Sequence, residues 1–77
     1  MIRLHANQVD VDRMKRLITL SEVSRLTGLK RTAIYERMAA GTFPRNCKLG
    51  TSSRWVDIEI QGWIDRQIEA RDDQLGS

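Results

Sequence analysis

The segment ITLSEVSRLTGLKRTAIYERMAAG, residues 18–41, predicts two short helices joined by a tight turn at Gly28. Thr19 opens a capping-box pattern with the glutamate three residues later, so the first helix should begin at about Leu20. Gly28 should end it, because glycine readily adopts the left-handed conformation found at helix C-termini. A second helix is predicted at residues 31–40. Two helices joined in this way form a helix-turn-helix.

The chain after this segment predicts a β-hairpin and a third helix. Pro44 excludes a continuing helix, since proline lacks the backbone donor and restricts the residue before it. Strands are predicted at residues 46–49 and 54–56, with a polar turn at residues 50–53. Asp57 is a suitable N-cap for the last helix. A hairpin in this place beside a helix-turn-helix is a wing.

The predicted fold is therefore α+β and mainly helical, a winged helix-turn-helix with three helices and a two-stranded wing. Residues 1–16 are interpreted as a flexible arm, residues 17–70 as the domain, and residues 71–77 as a frayed polar tail. Both tryptophans occupy core positions and are not interpreted as a base-stacking platform. The predicted core consists of Val23, Leu26, Leu29, Ile34, Met38, Phe43, Leu49, Trp55, Ile60, Trp63 and Ile64.

The composition is that of one small soluble domain with room for a single modest core. Of 77 residues, 40% are hydrophobic and 30% are charged, and no apolar run approaches the length of a membrane span. The first residues lack the apolar stretch of a secretory signal. Cys47 is the only cysteine, so no internal disulfide can form. These features predict a cytoplasmic protein without a membrane partner.

Charge is strongly segregated along the chain. Residues 30–54 carry six basic side chains against one acidic, a net charge of +5, whereas residues 55–77 carry six acidic and two basic, a net charge of −4. This pattern predicts one positive face suited to an anionic partner and a negative end held away from that partner.

The sequence gives no support for catalysis. His5 is the only histidine and lies in the predicted arm, away from any nucleophile-base pattern. The chain has no glycine-rich phosphate loop and no metal-ligand spacing. We therefore expect a protein that is not an enzyme and uses no metal and no cofactor.

The ordered motifs of this chain resemble the AlpA family of phage and prophage regulators, small members of the MerR-like winged-helix group that also includes phage excisionases. The resemblance extends over residues 17–68 and is carried by Leu20-x-Glu22-Val23-x-x-Leu26-Thr27-Gly28-Leu29, Arg31-Thr32-x-Ile34-Tyr35, Gly41-x-Phe43-Pro44, Lys48-Leu49-Gly50 and Trp55-x-x-x-Glu59-Ile60-x-x-Trp63. The family usually places serine before the second helix, where this chain has Lys30. Its wing commonly carries an arginine near the tip, where this chain has a Thr-Ser-Ser run.

The resemblance implies a sequence-specific double-stranded DNA-binding regulator of transcription in a phage, prophage or other mobile element, acting at the nucleoid of a bacterial host. The second helix would enter the major groove and the wing would contact the backbone or minor groove. Candidate partners besides DNA are a second copy on an adjacent site, an integrase and RNA polymerase. The candidate DNA-binding residues are Lys30, Arg31, Thr32, Tyr35, Arg37, Arg45, Lys48, Ser52, Ser53 and Arg54.

Two alternatives stay open at this point. An excisionase-like factor that bends DNA for an integrase would share the fold and the basic face. A protein-interaction module such as an anti-repressor would not require a clustered positive face, so the charge of residues 30–54 disfavours it.

Overall fold

A computed structural model describes residues 15–76 of the chain. Within this range the elements are β1 (Leu17–Ile18), α1 (Leu20–Thr27), α2 (Arg31–Ala39), β2 (Cys47–Leu49), β3 (Ser52–Val56) and α3 (Asp57–Gly76). The three helices and the antiparallel sheet confirm the mainly helical α+β class. Most of the predicted arm, residues 1–14, lies outside the described residues.

The caps of α1 are those that the sequence predicts. The Thr19 Oγ1 accepts a hydrogen bond from the backbone N–H of Glu22 at 3.2 Å, which satisfies one of the free donors of the first turn. At the other end Gly28 has φ 77°, and its N–H donates to the carbonyl of Ser24 at 2.7 Å. A side chain other than glycine would be strained in this left-handed conformation.

Side-chain hydrogen bonds brace the turn between α1 and α2. The Ser24 hydroxyl donates to the carbonyl of Leu29 at 2.6 Å. The Thr27 hydroxyl donates to the carbonyl of Val23 at 2.8 Å and accepts from the N–H of Leu29 at 3.2 Å. Because both hydroxyls satisfy backbone groups of the turn, they fix the direction in which α2 leaves α1.

The sheet has the order β1-β3-β2, with both neighbours antiparallel to β3. Strand β1 was not predicted; it pairs Leu17 with Val56. The wing turn is also tighter than predicted, because Leu49 pairs with Ser52 and leaves a two-residue loop at residues 50–51. Gly50 has φ 63°, whereas Thr51 does not have positive φ, because in the described range only glycines do. That pattern is typical of a type II′ turn, which matches the twist of the strands it joins.

The core lies where β3 meets the helices. In the described part of the chain, six apolar side chains are buried and six more are packed against them at partial exposure. The buried residues are Ile18, Val23, Ile34, Phe43, Trp55 and Ile60, and the half-buried ones are Leu20, Leu29, Tyr35, Met38, Trp63 and Ile64. Nine of the eleven predicted core residues are in these two groups.

Two core predictions are wrong and one core residue was missed. Leu26 is 47% exposed, since it lies in the last turn of α1, about 60° around the helix from the fully buried Val23. Leu49 is 50% exposed, because β2 belongs to the projecting wing and all three of its residues are exposed. The missed residue, Ile18, is buried opposite Trp55 because β1 adds to the sheet.

Asp57 joins the start of α3 to the chain that precedes β1. Its Oδ1 accepts from the N–H of Arg16 at 2.9 Å and from the N–H of Ile58 at 2.8 Å. Its own N–H donates to the carbonyl of Arg16 at 2.8 Å. The hydrogen bond from the Arg16 backbone is the main cause that lowers the pKa of Asp57 below its usual value. Arg16, predicted as the last residue of the arm, is thus bound to the domain.

The helix ends also differ from the predicted boundaries. Helix α2 stops at Ala39, one residue early, and Ala40 forms the C-cap. Helix α3 continues to Gly76, past the predicted domain boundary at residue 70. Whether residues 71–77 fray stays a prediction.

Candidate functional site

The N-terminus of α2 is positively charged and has no side-chain cap. Lys30 is the N-cap, with φ −85° and ψ 166°, and makes no capping hydrogen bond. Arg31 follows as the first helical residue, and the first turn contains no acidic side chain. The free N–H groups, the positive end of the helix dipole and two cationic side chains therefore coincide. Such an arrangement favours an anion.

The Arg31 side chain lies over an aromatic ring that is fixed to the core. Its Cζ is 5.5 Å from the centroid of the Tyr35 ring, one turn further along α2. The Tyr35 ring in turn meets Trp55 edge to face, with centroids 6.1 Å apart and an interplanar angle of 76°. Trp55 is fully buried. The tyrosine is therefore both a partly buried core residue and the support of an exposed guanidinium group.

Two shallow depressions continue along the surface from α2 to the wing. The first is lined by Arg31, Thr32, Tyr35, Glu36 and Ala39. The second shares Tyr35 and Ala39 with the first and adds Met38 of α2 together with Arg45 and Asn46 from the connection to β2. Because the two share residues, the exposed side of α2 and the base of the wing form one continuous surface.

On the wing, three polar side chains are joined at one hydroxyl group. The Ser53 Oγ accepts from the Asn46 Nδ2 at 3.0 Å and from the Lys48 Nζ at 3.4 Å. Lys48 and Ser53 are directly opposite in the β2–β3 pair, which explains why they meet. Asn46 was not among the predicted site residues. Its only sequence signal is a polar amide at the start of the predicted strand.

Strand alternation separates the other wing residues from this group. Ser53 and Trp55 point to the core side of β3, so Ser52 and Arg54 point to the opposite side. The Arg54 Nη1 donates to the carbonyl of Ser53 at 3.0 Å. On α2, Arg37 is six residues after Arg31 and lies about 120° away around the helix. The structure therefore does not bring Arg37, Ser52 and Arg54 together with the rest of the predicted site.

We call the connected residues the α2–wing surface. It contains seven of the ten predicted site residues together with Glu36, Met38, Ala39 and Asn46. Its members are Lys30, Arg31, Thr32, Tyr35, Glu36, Met38, Ala39, Arg45, Asn46, Lys48 and Ser53. Four of them are cationic and one is acidic, and the others include hydroxyl and amide groups. Such a surface can hold phosphate oxygens by charge and offer hydrogen bonds to further polar groups of the same ligand.

The opposite charge lies on α3. Helix α3 carries all six acidic residues of the segment 55–77, and two of them, Asp57 and Glu59, are in its first turn. Among residues 15–76, no helix is long and apolar enough to cross a membrane. The same part of the chain contains no group of three or more His, Cys, Asp or Glu residues placed to hold a metal ion.

The fold and this surface define a small winged-helix-like protein with a basic surface between α2 and the wing. Residues 16–68 match the family model of the prophage CP4-57 regulatory protein (AlpA), and the chain belongs to this family of phage-associated regulators. A relative, the uncharacterized protein ORF88 of Enterobacteria phage P4, is 34% identical over 58 residues. That match includes 74% of this chain and 66% of the relative, slightly less than two thirds of its length. No solved structure matches the chain.

Proposed function

We propose that this protein binds double-stranded DNA through the α2–wing surface and thereby regulates transcription in a phage, prophage or other mobile element. The observation that carries the proposal is the continuity of this surface from Arg31 to Lys48, with cations at both ends and hydrogen-bonding groups between them. Membership of a family of regulators supports it. The proposed function includes no catalytic step.

In this proposal α2 lies in the major groove and the wing lies along the backbone. Arg31 and Thr32 are in the first turn of α2, the part of a recognition helix that usually reaches base edges. Lys48, whose Nζ donates to the Ser53 Oγ at 3.4 Å, would contact a phosphate from the side of the wing that adjoins α2. The acidic α3 would remain away from the DNA. The protein would act at the nucleoid of the bacterial host.

The proposal is tested first by the salt dependence of binding. With about four phosphate contacts, one for each cation of the surface, a plot of log affinity against log salt concentration should have a slope of roughly −3 to −4. The measurement is a fluorescence-anisotropy titration with a labelled duplex at several salt concentrations. A slope near zero would contradict DNA binding and favour a protein partner.

A matched pair on the wing tests the assigned face. Lys48→Ala should make the salt slope shallower by about one, because it removes one phosphate contact. Arg54→Ala removes the same charge from the other side of β3 and should change the slope much less. Arg71→Ala, on the acidic helix, is a control outside the surface. If Arg54→Ala has the larger effect, the wing is docked by its other face.

The regulatory role is tested by where the protein binds. A pull-down of genomic fragments followed by footprinting should give a compact protected site at a promoter. Since one small domain makes few base contacts, a second copy on an adjacent site should extend the footprint. An extended array at an attachment site would instead indicate an excisionase-like role beside an integrase. Contacts with RNA polymerase would appear as footprints that depend on the polymerase.

A further inference from the structure

We propose that Tyr35 is the positioning residue that aims Arg31 at a guanine, so that sequence specificity depends on an aromatic side chain that need not itself touch a base. This inference rests on the proposed DNA binding and extends it to the residue that determines specificity. It starts from the contact in which the Arg31 guanidinium lies over the Tyr35 ring at 5.5 Å.

The exposed arginine needs such a support. A free arginine side chain samples many rotamers, and ordering it on DNA costs conformational entropy. Among residues 15–76 no carboxylate lies within ion-pair distance of Arg31, and the first turn of α2 contains no acidic residue. The Tyr35 ring is thus the contact that the structure gives its guanidinium group. A guanidinium that lies over the face of a ring can direct an N–H edge away from the ring, and such an edge forms the bidentate pair with guanine O6 and N7.

The support is rigid because it is connected to the core. Tyr35 is half-buried and its ring meets the fully buried Trp55 edge to face at 6.1 Å. Trp55 and Ser53 are both in β3, which forms one strand of the wing. Since Tyr35 belongs to α2 and its ring contacts Trp55 of β3, the position of Arg31 is set relative to both DNA-facing elements. A one-residue change at Tyr35 should therefore alter base selection more than overall affinity.

The ligand chemistry is a purine with two acceptors on its major-groove edge. Guanine presents N7 and O6 there, whereas adenine presents one acceptor and one donor. Arg31 has donors only, so it pairs with guanine and leaves the adenine amino group unsatisfied. The bound site should therefore contain a guanine whose N7 contributes to affinity.

The test couples Tyr35 to this nitrogen. A duplex is first selected from a random library by the wild-type protein, and each guanine is then replaced in turn by 7-deazaguanine, which lacks the N7 acceptor. At one guanine the wild-type affinity should fall by about fivefold or more. Tyr35→Phe keeps the ring and should show the same loss. Tyr35→Leu should bind the unmodified duplex about threefold more weakly and lose little on the modified one.

Arg31→Lys completes the test without touching the core. It keeps the positive charge but not the planar fork, so loss of the N7 effect in this variant assigns the guanine contact to Arg31 whether or not Tyr35→Leu folds. In every variant the affinity for random duplex should fall less than the affinity for the selected duplex, because most phosphate contacts do not involve Arg31 or Tyr35. Salt-dependent binding with an equal N7 effect in wild type and in a folded variant without the ring, Tyr35→Leu or Tyr35→Met, would overturn the positioning role alone. No salt-dependent binding by the wild type would overturn the proposed function itself.

Discussion

Replacing Lys30 by serine should stabilise the fold and weaken DNA binding at the same time. Lys30 and Thr19 occupy the same position before their helices, with φ −85° and ψ 166° against φ −81° and ψ 164°. The Thr19 oxygen accepts from the N–H three residues later, whereas Lys30 supplies no acceptor. A serine at position 30 can reach the N–H of Ala33 in the same geometry.

The stability gain can be estimated from the two effects of the substitution. A capping oxygen is worth about 1 kcal/mol, and removal of a cation from the positive end of the helix dipole adds about 0.3–1 kcal/mol. A gain of about 1 kcal/mol raises the melting temperature of a domain of this size by about 4–8 °C. Thermal unfolding followed by circular dichroism measures it.

Lys30→Ala is the matched control, since it removes the charge and adds no acceptor. Both variants should lose one phosphate contact and show a salt slope shallower by about one. Only Lys30→Ser should gain the capping energy, about 1 kcal/mol above Lys30→Ala. If the two variants have the same melting temperature, a capping oxygen at position 30 does not stabilise α2 and the reasoning is refuted. If both variants bind DNA with wild-type affinity, Lys30 does not contact the DNA.

Three further predictions concern the fold. Asp57→Asn should lower the free energy of unfolding by roughly 1 kcal/mol at neutral pH. Because the pKa of Asp57 is lowered in the folded state, this stabilisation is present above the unfolded pKa and is lost as pH falls through the folded pKa. Urea titrations of wild type and variant should therefore converge in acid. Trp63→Ala should lower the free energy of unfolding by about 3 kcal/mol and Trp63→Phe by clearly less, because the ring is half-buried and the indole N–H donates to the Thr42 carbonyl at 2.8 Å. A Trp63→Ala variant that is fully stable but does not bind DNA would place the ring at a contact surface. Gly50→Ala should cost about 1 kcal/mol from backbone strain alone, as its Cβ would meet open space, and an unchanged melting temperature would contradict the turn assigned here.

The parts of the fold that follow from local signals were predictable. The Thr19 cap and the Gly28 turn depend on interactions within five residues, so the sequence specifies them directly. The burial of Trp55 was predicted from its place in the returning strand of the hairpin. Strand β1 gave no such signal, because two residues are too short to show a period and exist as a strand only through pairing with Val56.

The candidate site was predictable as a charge pattern but not as a surface. Arg54 and Lys48 look equivalent in the sequence, and only the register of the hairpin assigns them to opposite sides of the wing. That register depends on the two-residue turn at residues 50–51, whereas the sequence predicted a four-residue turn at residues 50–53. Asn46 was missed for the same reason, since its role arises from a hydrogen bond to a residue on the neighbouring strand.

The length of α3 divides the molecule into parts of different local stability. Twenty residues make a helix about 30 Å long, and every described side chain from Asp65 to Leu75 is exposed. Helical segments of such a length are marginal without tertiary packing. Amide hydrogens near the C-terminus should therefore exchange through local fraying, while those of Ile34 and Trp55 exchange only when the whole domain opens. A fluorophore or fusion partner joined after residue 76 would thus leave the α2–wing surface undisturbed.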